Sequence, residues 1–198
     1  MFAGSPTQVA LMVNMMSVFS SAFTILFMFW SLTLLMKRIF IKEDDSDSSY
    51  IMILGGSFIA SLAYTFSDSF WFNAVEAEVY AMASFLIAIL FWLGLRWEQD
   101  IDTPRGNRWL LLISLIIGLS FGVHFMALLT LPSIGFLYFF KKYKNVTTKS
   151  FIIANIVIVA ILLFIFKLLL PYTLAFFGKT EIFMVNSLGM PFNSGTVF

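Results

Sequence analysis

Long apolar runs separated by short charged loops set the pattern of the chain: Ala10–Met36, Tyr50–Phe66, Val79–Leu95, Trp109–Phe140 and Ser150–Leu170. About 20 residues at 1.5 Å rise cross a hydrocarbon layer of ~30 Å, so each run predicts a membrane-spanning helix. The fourth run is the exception. It has 32 residues and no formal charge, and as one helix it would be about 48 Å long. Gly118, Gly122 and His124 lie near its middle and Pro132 follows. It therefore splits into two short helices, about 109–123 and 125–140. With runs at about 10–36, 50–66, 79–95 and 150–170, residues 1–170 hold six membrane segments. Beyond Pro171-Tyr172 the pattern becomes mixed, and 171–198 reads as an extracytoplasmic segment without a closing helix. The expected fold class is all-α, a polytopic helical transmembrane bundle.

Small and weakly polar residues recur at helical spacing inside the runs. Asn14, Ser17, Ser21 and Thr24 share one face of the first, Gly56/Ala60 and Ser57/Ser61 form a small seam in the second, and Ala77, Ala81, Ser84 and Ala88 stripe the third. Such faces let membrane helices approach closely and bond across the contact.

Charge orients the bundle. Of the 12 Lys and Arg, ten fall in three loops, 37–42, 96–108 and 141–149. If the fourth run is a hairpin, all three loops lie on one side. If it is a single span, the third moves opposite the other two. The positive-inside rule selects the hairpin and a cytoplasmic position for the basic loops. Residues 67–78, Met1 and the C-terminus then face outwards. The acidic run 43–49 reads as a solvated turn, and the sequon at Asn145-Val-Thr147 lies on the wrong side for glycosylation.

Composition agrees and narrows the function. The chain is 60% hydrophobic and 12% charged with 25 Phe, far from a soluble domain. Without Cys, disulfides, zinc–thiolate sites and thiol nucleophiles are excluded. A net charge of +1 with no basic arm gives no reason to expect nucleic acid. Residues 1–8 carry no basic n-region of a signal peptide, and no nucleotide-phosphate loop is present.

The chemistry gathers at the outward edge. Asp68, Glu76 and Glu78, with Trp71, Asn73 and Tyr80, occupy FSDSFWFNAVEAEVYAMASF (66–85), and His124 marks the hairpin tip. Lys167 and Lys179 are the only Lys or Arg outside the three basic loops, and Glu181 lies beyond the last run. If 70–80 is helical, Asn73, Glu76 and Tyr80 share a polar face, and Trp71, Val75 and Glu78 share another. Carboxylates there suit proton transfer, a divalent metal or sugar hydroxyls. Structural roles stand beside these: Glu78 opens a helix, Trp71 and Tyr80 sit in an aromatic belt, and His124 satisfies backbone freed at a helix break.

The blocks SPTQVALMVNMMSVFSSAFTILFMFWSLT (5–33), FWFNAVEAEVYAM (70–82), GLSFGVHFMAL (118–128) and VNSLGMPFNSG (185–195) resemble a family of large bacterial inner-membrane proteins common in Bacteroidetes. That family is related to a eukaryotic membrane protein O-mannosyltransferase and resembles the GT-C glycosyltransferases. The resemblance implies a GT-C-like core that moves a sugar from a polyprenyl-phosphate carrier to a protein or glycan acceptor outside the cytoplasm. Trp71, Asn73, Glu78, Val79 and Tyr80 match its aromatic-Asn…Glu-Val-Tyr block, and His124 its Gly-x-His block. The family's Asp-Ser-Gly-Glu-like and His-Pro-Pro-Gly-like motifs do not occur here. The resemblance therefore places the catalytic base upstream of Met1 and makes this chain a fragment of a longer parent. It predicts no cofactor; a divalent metal fits the chemistry but has no readable ligand set. The alternatives are a transporter, whose broken helices the 109–140 hairpin resembles, and a non-catalytic assembly subunit.

Overall fold

Thirty-five residues with no interior Pro or Gly form the first helix, α1 (Pro6–Phe40). In the computed structural model of the chain, which describes residues 5–40 and 47–196, it is followed by α2 (Asp47–Thr65), α3 (Asp68–Val75), α4 (Val79–Asp100) and α5 (Pro104–Ser120). A 3₁₀ turn, Phe125–Thr130, leads into α6 (Leu131–Lys142). Helices α7 (Thr148–Phe164) and α8 (Leu170–Leu188) are joined by a π turn at Ile165–Leu169. No strand occurs among the described residues. Among the described residues, five helical stretches are long and apolar enough to cross a membrane: Gln8–Phe40, Asp47–Thr65, Val79–Asp100, Phe125–Lys142 and Thr148–Leu188. The chain is an all-α membrane bundle, as its pattern predicts. Part of the acidic turn, 43–46, lies outside the described residues.

The sequence sets the helix ends. Thr103 caps α5 by accepting a hydrogen bond from the Arg105 N–H, and Pro104 stands where its missing N–H costs nothing. Thr147 and Ser150 form a reciprocal capping box at the start of α7. Gly189, in the left-handed region at φ 64°, ends α8. The 109–140 run breaks where expected: α5 ends at Ser120, and His124 caps the next turn.

The chain divides into two compact units, Met1–Lys142 and Tyr143–Phe198. In the first, α4 is the central helix. Its Leu86, Leu90, Leu93 and Trp97 are buried with Ile113 of α5 and Ala127 of the 3₁₀ turn. Along α1, Ser17, Ser20, Ser21, Thr24 and Ser31 are buried; Asn14, expected on that face, is exposed and Ser20 takes part instead. In α2, Ser57 and Ser61 are buried, and a Cβ on Gly56 would lie 2.9 Å from the terminal methyl of Met36 of α1, which would have to move aside. The small-residue seams are therefore packing seams. The hydroxyls of Ser21 and Ser61 are buried without a partner among the described residues. Ser21→Ala and Ser61→Ala are each expected to stabilise the first unit by about 1 kcal/mol, read as a higher midpoint of thermal unfolding in detergent.

Acidic residues at the C-terminal end of α4 tie its neighbours together. Glu98 pairs with Arg38 of α1 and, at 3.4 Å, with Lys141 of α6. Asp102, just past α4, pairs with Lys142 of α6 at 2.7 Å. Asp100 accepts from the Trp109 indole N–H of α5 at 2.8 Å, and Lys37 lies over the Tyr50 ring at the start of α2. The basic ends of α1 and α6 thus meet the acidic end of α4 at one end of the unit, as the hairpin requires.

The second unit departs from expectation. The helix does not stop at Pro171 but continues to Leu188. A proline in a helix cannot donate to the carbonyl four residues back. Here that mismatch is absorbed by the π turn just before it, where the Leu170 N–H bonds to the Ile165 carbonyl.

Candidate functional site

At the end of the first unit opposite the ion pairs, the start of α4 leans across α1. The helix breaks at Glu76–Glu78, where Glu76 and Glu78 are both in extended conformation. The expected single helix over 70–80 is therefore two helices. The reason is packing: Phe70 of α3 is buried against Tyr64 of α2, with ring centroids 4.8 Å apart, while α4 must run along the core line of Leu86 and Leu90. Asn73 stays on α3 and Tyr80 moves to α4, so the predicted face of Asn73, Glu76 and Tyr80 does not exist as a helical stripe. Nor does that of Trp71, Val75 and Glu78.

The break creates a groove instead. It holds about 510 Å³ and is lined by Val13, Met16, Ser17 and Ser20 of α1, by Ala77, Glu78, Val79 and Met82, and by Gly122 and Val123 before the 3₁₀ turn. Glu78 precedes the first residue of α4, but its side chain does not cap that helix. Its exposed carboxylate makes no hydrogen bond or ion pair with a described residue. Next to the groove, the rings of Tyr80 and His124 are in contact at 5.7 Å. The Nδ1 of His124 accepts from the Met126 N–H at 3.2 Å. A neutral imidazole has one N–H, so its proton is then on Nε2. The arrangement offers a free carboxylate acceptor, an imidazole N–H donor and an aromatic ring around an apolar-floored cleft. That suits a hydroxyl-rich ligand attached to a lipid.

The structure thus brings Tyr80 and His124 together and places Glu78 on the groove beside them, lined also by Gly122 and Val123. Asp68 and Trp71 stand apart on α3 with Phe66 and Phe72, around a second depression. Glu76 is exposed at the break and Asn73 half-buried on α3. Sequence reasoning missed Ser17, Ser20 and Met82 as groove residues; the Ser20 hydroxyl lies 3.6 Å from the Met82 sulfur. The spacing of Asn14, Ser17, Ser21 and Thr24 on α1 marked a packing face, but nothing local showed that this face opens at one end. In the second unit, Glu181 proves to be a structural tie. Its carboxylate oxygens accept from the backbone N–H groups of Asn193, at 2.6 Å, and Gly195, at 2.7 Å. Among the described residues no group of three or more His, Cys, Asp or Glu could hold a metal ion, and Glu78 with His124 alone does not make a ligand set.

No curated protein and no solved structure matches the chain. A protein-family profile described as the Protein O-mannosyl-transferase TMEM260 N-terminal domain matches residues 1–147. The match ends before the 185–195 block of the sequence resemblance. It does take in Glu78, Tyr80 and His124, the whole first unit, and 147 of 198 residues. The chain belongs to the protein family of the TMEM260 O-mannosyl-transferase N-terminal domain.

Proposed function

We propose that this chain is the membrane-embedded part of a GT-C-like glycosyltransferase, moving a sugar from a polyprenyl-phosphate carrier to a protein or glycan hydroxyl on the extracytoplasmic side of a bacterial inner membrane. The observation that carries the reading is the groove lined by Glu78, with the Tyr80–His124 ring pair beside it, at the end away from the basic residues, in a member of an O-mannosyl-transferase family. In the transfer, the acceptor oxygen bonds to the sugar C1 as the bond from C1 to the carrier phosphate oxygen breaks. The bonding pair leaves with the phosphate, and the hydroxyl proton passes to a carboxylate base. Glu78 accepts hydrogen bonds from sugar or acceptor hydroxyls, and the Nε2–H of His124 donates to the developing phosphate charge.

A transporter would need ionisable groups along its interior. Among the described residues, the buried polar side chains are all Ser and Thr. The deciding measurement is transfer of radiolabelled sugar from a polyprenyl-phosphate donor in membranes containing the protein that carries this sequence. Correct insertion with no transfer to any acceptor fraction would overturn the reading.

Two variants test its parts. His124→Asn keeps an acceptor for the Met126 N–H and loses the imidazole N–H. It is expected to insert and fold normally but to lose about tenfold in transfer, the worth of one hydrogen bond to a charged group. Wild-type transfer by this variant assigns the residue to capping alone. For sidedness, a Cys at exposed Ser69 is expected to react with an impermeant maleimide from outside intact cells, and a Cys at Asn107 only after lysis. The reverse pattern would place the groove in the cytoplasm.

A further inference from the structure

The depression on α3 has a composition of its own. It holds about 470 Å³ and is lined by Phe66, Asp68, Trp71 and Phe72. Phe66 and Trp71 are stacked, with centroids 5.9 Å apart and planes 19° from parallel. All three aromatic rings are largely exposed: Phe66 at 68%, Trp71 at 52% and Phe72 at 63%. The Asp68 carboxylate, at the start of the same helix, has no partner among the described residues.

We infer that Phe66, Trp71 and Asp68 form a sugar-binding platform separate from the groove, on which one neutral hexopyranose stacks. A pyranose has an apolar C–H face and a rim of hydroxyls. The outer face of a stacked, exposed ring pair fits the first, and an unpaired carboxylate beside it fits the second. The competing occupant is the phospholipid headgroup layer, where aromatic residues often anchor. Charge argues against it. Residues 43–95 contain no Lys or Arg, so α3 and the chain on either side of it offer no cationic side chain to a phosphate, while Asp68 and Glu76 repel one. A free carboxylate among rings is also costly to sink into lipid. The choice of mannose as probe rests on the glycosyl-transfer reading above; the platform itself does not.

The experiment uses the 198-residue chain in nanodiscs of phosphatidylcholine. The emission of wild type minus that of Trp71→Phe isolates Trp71, and methyl α-D-mannopyranoside is titrated in. The expected result is a saturable change in Trp71 emission, shifted at least tenfold to weaker binding in Asp68→Ala, with helical circular dichroism unchanged in both variants. The same response to glycerol as to the mannoside, or no response, overturns the platform. Strong quenching of Trp71 by phosphatidylcholine brominated near the headgroup also overturns it and assigns α3 to the lipid interface. Saturable mannoside binding in a protein without transfer activity would strike the transfer reading and leave the platform standing. Transfer with no mannoside response at Trp71 would strike the platform alone.

Discussion

Glu78→Gln is expected to lower sugar transfer by about 10- to 100-fold with no loss of protein from the membrane. The carboxylate lies on the groove, is exposed and makes no bond with any described residue, so its charge contributes little to the fold. Gln preserves shape and one carbonyl acceptor, and removes only the charge. Losing a hydrogen bond to a charged group costs about 1.5–3 kcal/mol, which at 1.4 kcal/mol per decade gives that range. Transfer from a radiolabelled donor, divided by the amount of inserted protein, is the measurement. If transfer and insertion fall together, Glu78 acts as an N-terminal residue favoured by the helix dipole, and the groove loses its main polar group.

The sequence showed Glu78 and His124 as candidates but could not show that one lines a groove and the other lies beside it. They are 46 positions apart in the numbering, and the contact between Tyr80 and His124 depends on how α4 crosses the end of α5. The membrane class, the broken fourth run and the common end of the basic loops were legible, because hydrocarbon thickness and loop charge act on local composition. What was not legible followed from tertiary packing. Helical periodicity runs through 70–80 without a flaw, and the break goes with tertiary packing, Phe70 against Tyr64 on one side and α4 along the Leu86–Leu90 core line on the other. Pro171 reads as a stop, yet a single wide turn carries the helix past it. Ser20 was overlooked because one helix face offers several hydroxyls, and only the partner helix selects among them.

Glu98→Ala should destabilise the first unit by about 2 kcal/mol, between the small worth of surface pairs and the 3–5 kcal/mol of fully buried ones. Its side chain is 16% exposed and touches cations from two helices, Arg38 and Lys141. Removing it leaves both without their common partner, and frees the guanidinium that also reaches the Leu95 carbonyl. Asp102→Ala serves as the control: its side chain is 70% exposed, and no measurable change is expected. The comparison is thermal unfolding in the same detergent. Equal midpoints for wild type and both variants would mean that packing around Leu90 and Leu93 alone holds this end.

The unbroken helix from Thr148 to Leu188 has a consequence in length. Its 41 residues amount to about 62 Å at 1.5 Å each, twice a hydrocarbon thickness of about 30 Å. A stretch of about 20 residues from Thr148 uses up that thickness and ends at Lys167, whose long side chain can reach the water boundary. The remainder, α8, then has about 28 Å of helix to place outside the oily layer. It carries Phe176, Phe177, Ile182 and Phe183 on its exposed surface. The wide turn at 165–169 sits at the crossing point, where a tilt would lay those side chains along the membrane surface rather than leave them standing as a mast in water.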